Sequence, residues 1–172
     1  KRMRSRPIVF LHIPKTAGQT IHSELCRVVG KGKVSPVRVH TEAAAGSTQM
    51  PPGYGLYSGH IDWIELENLH KPFTFTVLRD PKERIASFYF YLLKEAQRLT
   101  PVELEQPENY GKKMVLNRSA SDYFFGGDAA WQWFICDHYD NFYCSYFATR
   151  KIRGWSQIKH LKPDSKFRLC SQ

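Results

Sequence analysis

Short apolar runs alternate with amphipathic ones through the first half of the chain, and that alternation sets the fold class. Residues 7–13, PIVFLHI, are β-branched and apolar, and predict a buried strand. PKTAG at 14–18 is a turn. From Gln19 to Val29, Ile21, Leu25 and Val28 recur at helical spacing, and Gly30 ends the pattern. Strand, loop and helix in this order make the first half of a βαβ unit. LYSGH at 56–60 predicts a second short strand. Asp62 suits an N-cap with Glu65 at the capping-box position, so a helix is expected over 63–69. FTFTVL at 73–78 is the clearest strand of all. It runs into Arg79, Asp80 and Pro81, where Asp80 suits an N-cap, Pro81 the first helical position and Glu83 the capping box. The helix that follows should span 81–98, with Ile85, Phe88, Leu92 and Leu99 toward the core.

The remaining segments are less regular. Residues 30–55 are rich in Gly, Pro and Ser and read as loop with one strand at 37–40. Residues 100–120 are polar and read as loop. From Ser121 to Ala148 the chain is aromatic-rich and helical, interrupted at Gly126-Gly127. Residues 150–172 are basic, with a turn at Pro163-Asp164. The expectation is an α/β fold: a P-loop-like central parallel sheet flanked by helices, with an aromatic-rich helical C-terminal half. No internal repeat marks a second domain, so residues 1–172 are read as one domain.

Composition changes this picture in one respect. The 25 Lys and Arg against 16 Asp and Glu give a formal charge of +9, which favours an anionic ligand. No recognisable nucleic-acid-binding module accompanies the charge, so nucleic acid is not the expected partner. No run approaches the roughly 18 apolar residues of a membrane span. The four cysteines form no CxxC pair and are too sparse for a disulfide scaffold. Cys136, His138 and Cys144 lack regular zinc spacing, so no metal is expected.

Two segments carry candidate chemistry. In HIPKTAGQT (12–20) a strand delivers the chain to a tight turn and a helix begins directly after it. Free amides at that helix start, the helix dipole and the charge of Lys15 suit a phosphate, and Thr16 and Thr20 add hydroxyls. The segment lacks GxxxxGK[ST], so it is not the nucleotide-triphosphatase loop. In LRDPKERIASFYF (78–90), Arg79 stands at the carboxyl end of a strand, and Ser87 follows it by eight positions, about two helical turns. An Arg fork and a helix hydroxyl suit a second phosphate.

Together these segments resemble the sulfotransferases that use 3′-phosphoadenosine 5′-phosphosulfate (PAPS), in the branch of the heparan sulfate O-sulfotransferases and their bacterial relatives. FLHIPKTAGQT resembles that branch's 5′-phosphosulfate loop, with Gln19 where Thr or Ser is common. RDPKERIASFY resembles its 3′-phosphate motif, RDPxxRxxSxY. The resemblance implies that Lys15 touches the bridging oxygen between phosphate and sulfate. It implies that Thr16, Ala17, Gly18, Gln19 and Thr20 hold the 5′-phosphate, mostly through backbone amides. Arg79 and Ser87 would hold the 3′-phosphate of PAPS and of the product, 3′-phosphoadenosine 5′-phosphate (PAP). LYSGHIDW at 56–63 is similar to the region where the 2-O-sulfotransferases carry a catalytic His-Gly-His; here Ser58 replaces the first histidine and His60 retains the second. A histidine is suited to take a hydroxyl proton near neutral pH. DHYDNFYCSYFAT at 137–149 is similar to a segment bordering the family's clefts, which makes Asn141, Tyr143 and Tyr146 candidates for contacts.

The resemblance covers about residues 7–150, and the basic end at 151–172 departs from the family, as a truncated or reduced C-terminal portion would. The expected function is sulfuryl transfer without a metal to a hydroxyl acceptor, a glycan or another small molecule, with His60 as base and Lys15 at the leaving phosphate. The alternative is a catalytically inactive nucleotide- or glycan-binding module of the same fold. The lack of an anchor and the sparse cysteines point to a cytoplasmic protein, while the resemblance to animal relatives implies the Golgi lumen if an N-terminal anchor precedes this chain.

Overall fold

A computed structural model describes residues 6–171. The chain forms two compact units: the first runs to Arg79 and resumes at Tyr143, and the second spans Asp80–Phe142.

The first unit is built on three parallel strands, β1 (Ile8–Leu11), β2 (Leu56–Gly59) and β3 (Phe73–Thr76), in the order β2-β1-β3. The α/β class with a parallel sheet is as the alternation predicts. β1 lies in the middle, and Val9 and Phe10 are fully buried there, which explains its unbroken apolar run. Val9, Leu11, Met50, Tyr57 and Ile61 form one core, with Tyr54, Trp63, Leu66 and Leu69 packed against it.

Helix α1 (Gly18–Val29) follows β1 and contacts β2. Its buried face differs from the one the spacing predicts. Gly18 and His22 are buried, while Val28 is 71% exposed. His22 is accommodated in the interior because Ser58 and Arg38 satisfy its ring nitrogens there. Between α1 and β2 the chain forms two 3-10 turns, Lys31–Lys33 and His40–Glu42, and isolated parallel bridges, Val34 to Leu56 and Val39 to His60, so the strand expected at 37–40 shrinks to one residue pair.

Asp62 is the N-cap residue of a 3-10 helix, Trp63–Asn68, in place of the expected α-helix, and its side chain makes no cap bond. Its carboxylate instead accepts from Ile152 N–H at 2.7 Å and from the Gln49 amide at 2.9 Å. Glu65 likewise accepts from the Thr48 hydroxyl and Gln49 N–H rather than closing a capping box. These two acids tie loops together.

The second unit is helical: α2 (Pro81–Ala96), α3 (Pro101–Leu104), α4 (Tyr110–Asn117), α5 (Ala120–Phe125) and α6 (Ala129–Tyr139). Asp80 caps α2 by accepting from Lys82 and Glu83 N–H, with Pro81 in the first turn, as its sequence predicts. The segment 100–120 is not the expected loop. Thr100 accepts from Glu103 N–H while the Glu103 carboxylate accepts from Thr100 N–H, and Pro101 opens α3; this reciprocal capping starts a helix in a polar stretch. Val115 of α4 then joins Leu92, Ala96, Tyr123, Trp131, Ile135 and Tyr139 in the core. The Tyr123 and Tyr139 hydroxyls meet at 2.9 Å, so the aromatic core leaves neither oxygen unsatisfied.

Back in the first unit, α7 (Phe142–Thr149) leads to α8 (Trp155–Ile158) and α9 (Pro163–Cys170). Pro163 opens a helix rather than closing a turn. The Tyr146 hydroxyl donates to Ile61 O at 2.9 Å, and Trp63 Nε1–H donates to Tyr146 O at 2.8 Å. The returning chain is thereby bolted to the segment just after β2. Cys26, Cys136, Cys144 and Cys170 are all thiols and partly buried.

Candidate functional site

The three strands end level, because Leu11 pairs with Gly59 on one side and Thr76 on the other. The Thr76 hydroxyl fastens that edge by donating to Leu11 O at 2.6 Å. A parallel sheet has all its carboxyl ends on one edge, which is where ligands collect in open α/β sheets. Beyond it follow the loop 12–17, His60 and Arg79.

The loop is held in a tight turn with two left-handed residues. Lys15 and Ala17 have φ of 68° and 64°, left-handed values that non-glycine residues adopt only when the surroundings impose them. The buried Thr16 hydroxyl donates to Ile13 O at 2.8 Å and closes the turn. Its hydrogen is therefore committed to the loop, and what Thr16 offers a ligand is its main chain. Ala17 caps α1 with no side-chain bond, and the first turn holds no acidic residue. The amides of Gly18, Gln19 and Thr20 thus begin a helix with no built-in acceptor, and Gln19 and Thr20 are exposed. At Gly18 a Cβ would run into the His12 ring, so glycine is required for α1 to start against that imidazole.

His60 is oriented by the same loop. Its Nδ1–H donates to the His12 carbonyl at 2.5 Å, and the two rings lie 4.6 Å apart. The hydrogen bond assigns the proton of the neutral ring to Nδ1, so the basic lone pair is on Nε2. On its other side the main chain of His60 pairs with residues 38–40: His60 N–H donates to Arg38 O and His40 N–H to His60 O, both at 2.8 Å. A Cβ at Gly59 would collide with the Arg38 carbonyl, so this close pairing also depends on glycine.

Three residues absent from the expected site join it. His22 comes from the buried face of α1 and meets Ser58 Oγ at 2.9 Å. Arg38 Nη1 donates to His22 Nε2 at 2.5 Å, and Cys26 Sγ lies 3.3 Å from the same nitrogen. A guanidinium only donates, so Nε2 of His22 accepts and its Nδ1–H points to Ser58. Burial, then the charge of Arg38, holds the His22 pKa below its ordinary value. His12 is pulled down to about 4, by burial first and then by His60, Arg38, His22 and Lys15. The sequence signal for His22 was present: Gly18, His22 and Cys26 stand four apart on one helix face. Arg38 had no such signal, since its place depends on the bridge between residues 39 and 60.

Arg79 follows β3, and its main chain is held by Tyr143, whose hydroxyl accepts from Arg79 N–H at 3.0 Å and donates to Arg79 O at 2.7 Å. Tyr143 thus acts on Arg79, whereas the Tyr146 ring is buried in the fold. Asn141, with φ of 46°, is exposed between α6 and α7. Lys15, His60 and Arg79 all belong to the first unit. Ser87 is on α2 in the second unit and is partly buried. In that unit Arg84 is only 2% exposed; it donates to His138 O at 3.1 Å and lies 4.1 Å over the Phe142 ring.

A family model described as the sulfotransferase family matches residues 3–166. The chain belongs to the sulfotransferase family. Neither the comparison with curated proteins nor that with solved structures found a match. Sulfotransferases move sulfuryl groups to hydroxyl acceptors, and this family generally takes PAPS as donor. Among the described residues of this sulfotransferase, no helix is long and apolar enough to cross a membrane.

Proposed function

We propose that this sulfotransferase transfers the sulfuryl group of PAPS to an acceptor hydroxyl, on a carbohydrate or another small molecule, with His60 as general base. The observation that carries the reading is the hydrogen bond from His60 Nδ1–H to the His12 carbonyl. It aims the basic nitrogen of His60 from the same chain segment that forms the phosphate loop, so base and loop are positioned by one element.

The residues present suit the donor. The amides of Gly18, Gln19 and Thr20, free of any side-chain cap, would take the 5′-phosphate with the main chain of Thr16 and Ala17. Arg79 and Ser87 would take the 3′-phosphate. Lys15 would neutralise charge on the phosphate as it departs, and His60 Nε2 would accept the acceptor's hydroxyl proton as the oxygen attacks sulfur in line. The attacking oxygen forms its bond to sulfur while the bond from sulfur to the bridging oxygen breaks. PAP leaves with the bonding electrons, and the proton stays on His60. The level ends of the three strands support this division of labour, because loop, base and Arg79 all follow the same sheet edge. We take the whole of residues 1–172 as one functional domain in this scheme.

The test is transfer of labelled sulfate from PAPS to a carbohydrate panel by the wild-type chain, Lys15→Ala and His60→Ala. Transfer by the wild type that both variants lose is the expected result. Binding of PAP without transfer by the wild type would favour the inactive binding module instead. Equal affinity for PAP and ATP would remove Arg79 and Ser87 from the donor site.

A further inference from the structure

Arg38 is a cation whose setting calls for an anion that the protein does not itself supply. Its main chain is locked beside the base, through the bonds between residues 38–40 and His60. Its guanidinium reaches back toward α1 and donates to His22 Nε2. Its Nε–H is buried and has no hydrogen-bond acceptor. Among the described residues no carboxylate meets the guanidinium. Glu42, the nearest acid in sequence, is occupied at the main chain, where it accepts from Arg38 N–H at 2.7 Å and from Val39 N–H at 3.1 Å.

Other arginines of the chain are treated differently. Arg27, Arg98 and Arg118 each pair with a carboxylate, and Arg150, whose Nε–H is likewise buried without an acceptor, pairs with Glu67 through Nη1. A partly buried guanidinium facing His22 and Cys26, with no carboxylate and one N–H unsatisfied, is costly unless an anion completes it. Burial accordingly drags the Arg38 pKa below the usual arginine range, against the opposing influence of Cys26 and Glu42. The charge is also felt inside the site, where Arg38 and Lys15 both disfavour protonation of His12.

We propose that Arg38 is an oxyanion-binding residue of this site, offering its guanidinium to a sulfate-type or carboxylate oxygen beside His60. This rests on the sulfotransferase reading above. The oxyanion has two possible sources with one chemistry: the sulfuryl group of the donor, or an acidic group on the acceptor.

The experiment has three arms, all on the full chain. The first titrates inorganic sulfate while following the Arg38 Nε–H signal by nitrogen-edited NMR, assigned by its loss in Arg38→Lys. A saturable shift is expected, and no shift would overturn the proposal. The second compares PAPS and PAP binding to wild type and Arg38→Met by calorimetry. If the sulfuryl group is the ligand, the variant loses about tenfold in PAPS affinity and keeps PAP affinity. The third compares transfer to sulfated or carboxylated glycans with transfer to neutral ones. If the acceptor supplies the anion, both nucleotides bind unchanged and the variant loses about tenfold on the acidic acceptors alone. Equal loss of PAPS and PAP affinity, or no loss in any arm, overturns the assignment. Should Arg38→Met melt early, Arg38→Lys, which keeps the charge without Nε–H, carries the comparison. A wild type that fails to bind PAP sinks the donor reading, while the sulfate titration still decides Arg38 by itself.

Discussion

The Tyr143 hydroxyl holds both main-chain polar groups of Arg79, accepting from its N–H at 3.0 Å and donating to its carbonyl at 2.7 Å. The two residues are far apart in sequence, so the start of α7 sets the backbone from which the Arg79 side chain projects. A phenol suits the task because one oxygen both accepts and donates on a rigid ring. Tyr143→Phe keeps the ring and removes both bonds. It should destabilise the chain by about 2 kcal/mol, since each lost bond costs about 1 kcal/mol, and weaken PAP binding by several-fold through the loosened Arg79 backbone, while leaving the charge of the site unchanged. Calorimetry with PAP tests this; an unchanged affinity would mean that Arg79 needs no such support.

Arg79 and Ser87 are expected to read the 3′-phosphate, which PAP carries and AMP lacks. Ser87→Ala should therefore narrow the preference for PAP over AMP by about fivefold to tenfold, without weakening AMP binding. Competition between the two nucleotides against a labelled PAP analogue measures the ratio. Parallel loss for both nucleotides would point to damage of α2 rather than to phosphate recognition.

Gly18 and Gly59 mark the two close approaches on which the site depends. Gly18→Ala forces a methyl group into the His12 ring, and Gly59→Ala forces one into the Arg38 carbonyl. Each should destabilise the chain by about 1–3 kcal/mol, as overpacking of a tight interior does. Gly59→Ala should cost more, because main chain yields less readily than a ring. Urea denaturation of both variants provides the comparison, and a neutral Gly59→Ala would show that residues 38–40 do not pair with His60 in solution.

Much of this arrangement was legible from local signals. β1, the loop, α1 and the Asp80-Pro81 start of α2 each announce themselves within a few residues, because strand hydrophobicity and helix capping are short-range effects. Thr100-Pro101-Val102-Glu103 carried the same kind of signal for α3, but its polar surroundings resembled a loop. The links that assemble the site are of another kind. Arg38 reaches it through the bridge of residue 39 with residue 60, Tyr143 through a bond across the chain to Arg79, and Asp62 through Gln49 and Ile152. Tertiary pairing of this sort leaves no periodicity to read, and it is why Asp62 resembles a helix cap in the sequence and acts as a tie between loops in the fold.

His12 links the stability of the fold to pH. Its pKa is about 4 in the folded chain against 6.5 for an ordinary histidine, because burial and the neighbouring His60, Arg38, His22 and Lys15 disfavour the imidazolium. Above pH 6.5 the ring is neutral whether the chain is folded or not, and the stability it permits is fully present. As pH falls from 6.5 toward 4 the unfolded chain takes up a proton that the folded chain refuses, so stability declines. Below about 4 both states are protonated and His12 adds no further dependence. The whole excursion is worth on the order of 3 kcal/mol. Urea unfolding across that window should show the loss, and His12→Gln should flatten the curve by that amount even where its absolute stability is lower. A wild-type curve already flat over the window would mean that the His12 ring is protonated in the fold, and with it that the His60 ring stands beside a cation instead of a neutral neighbour.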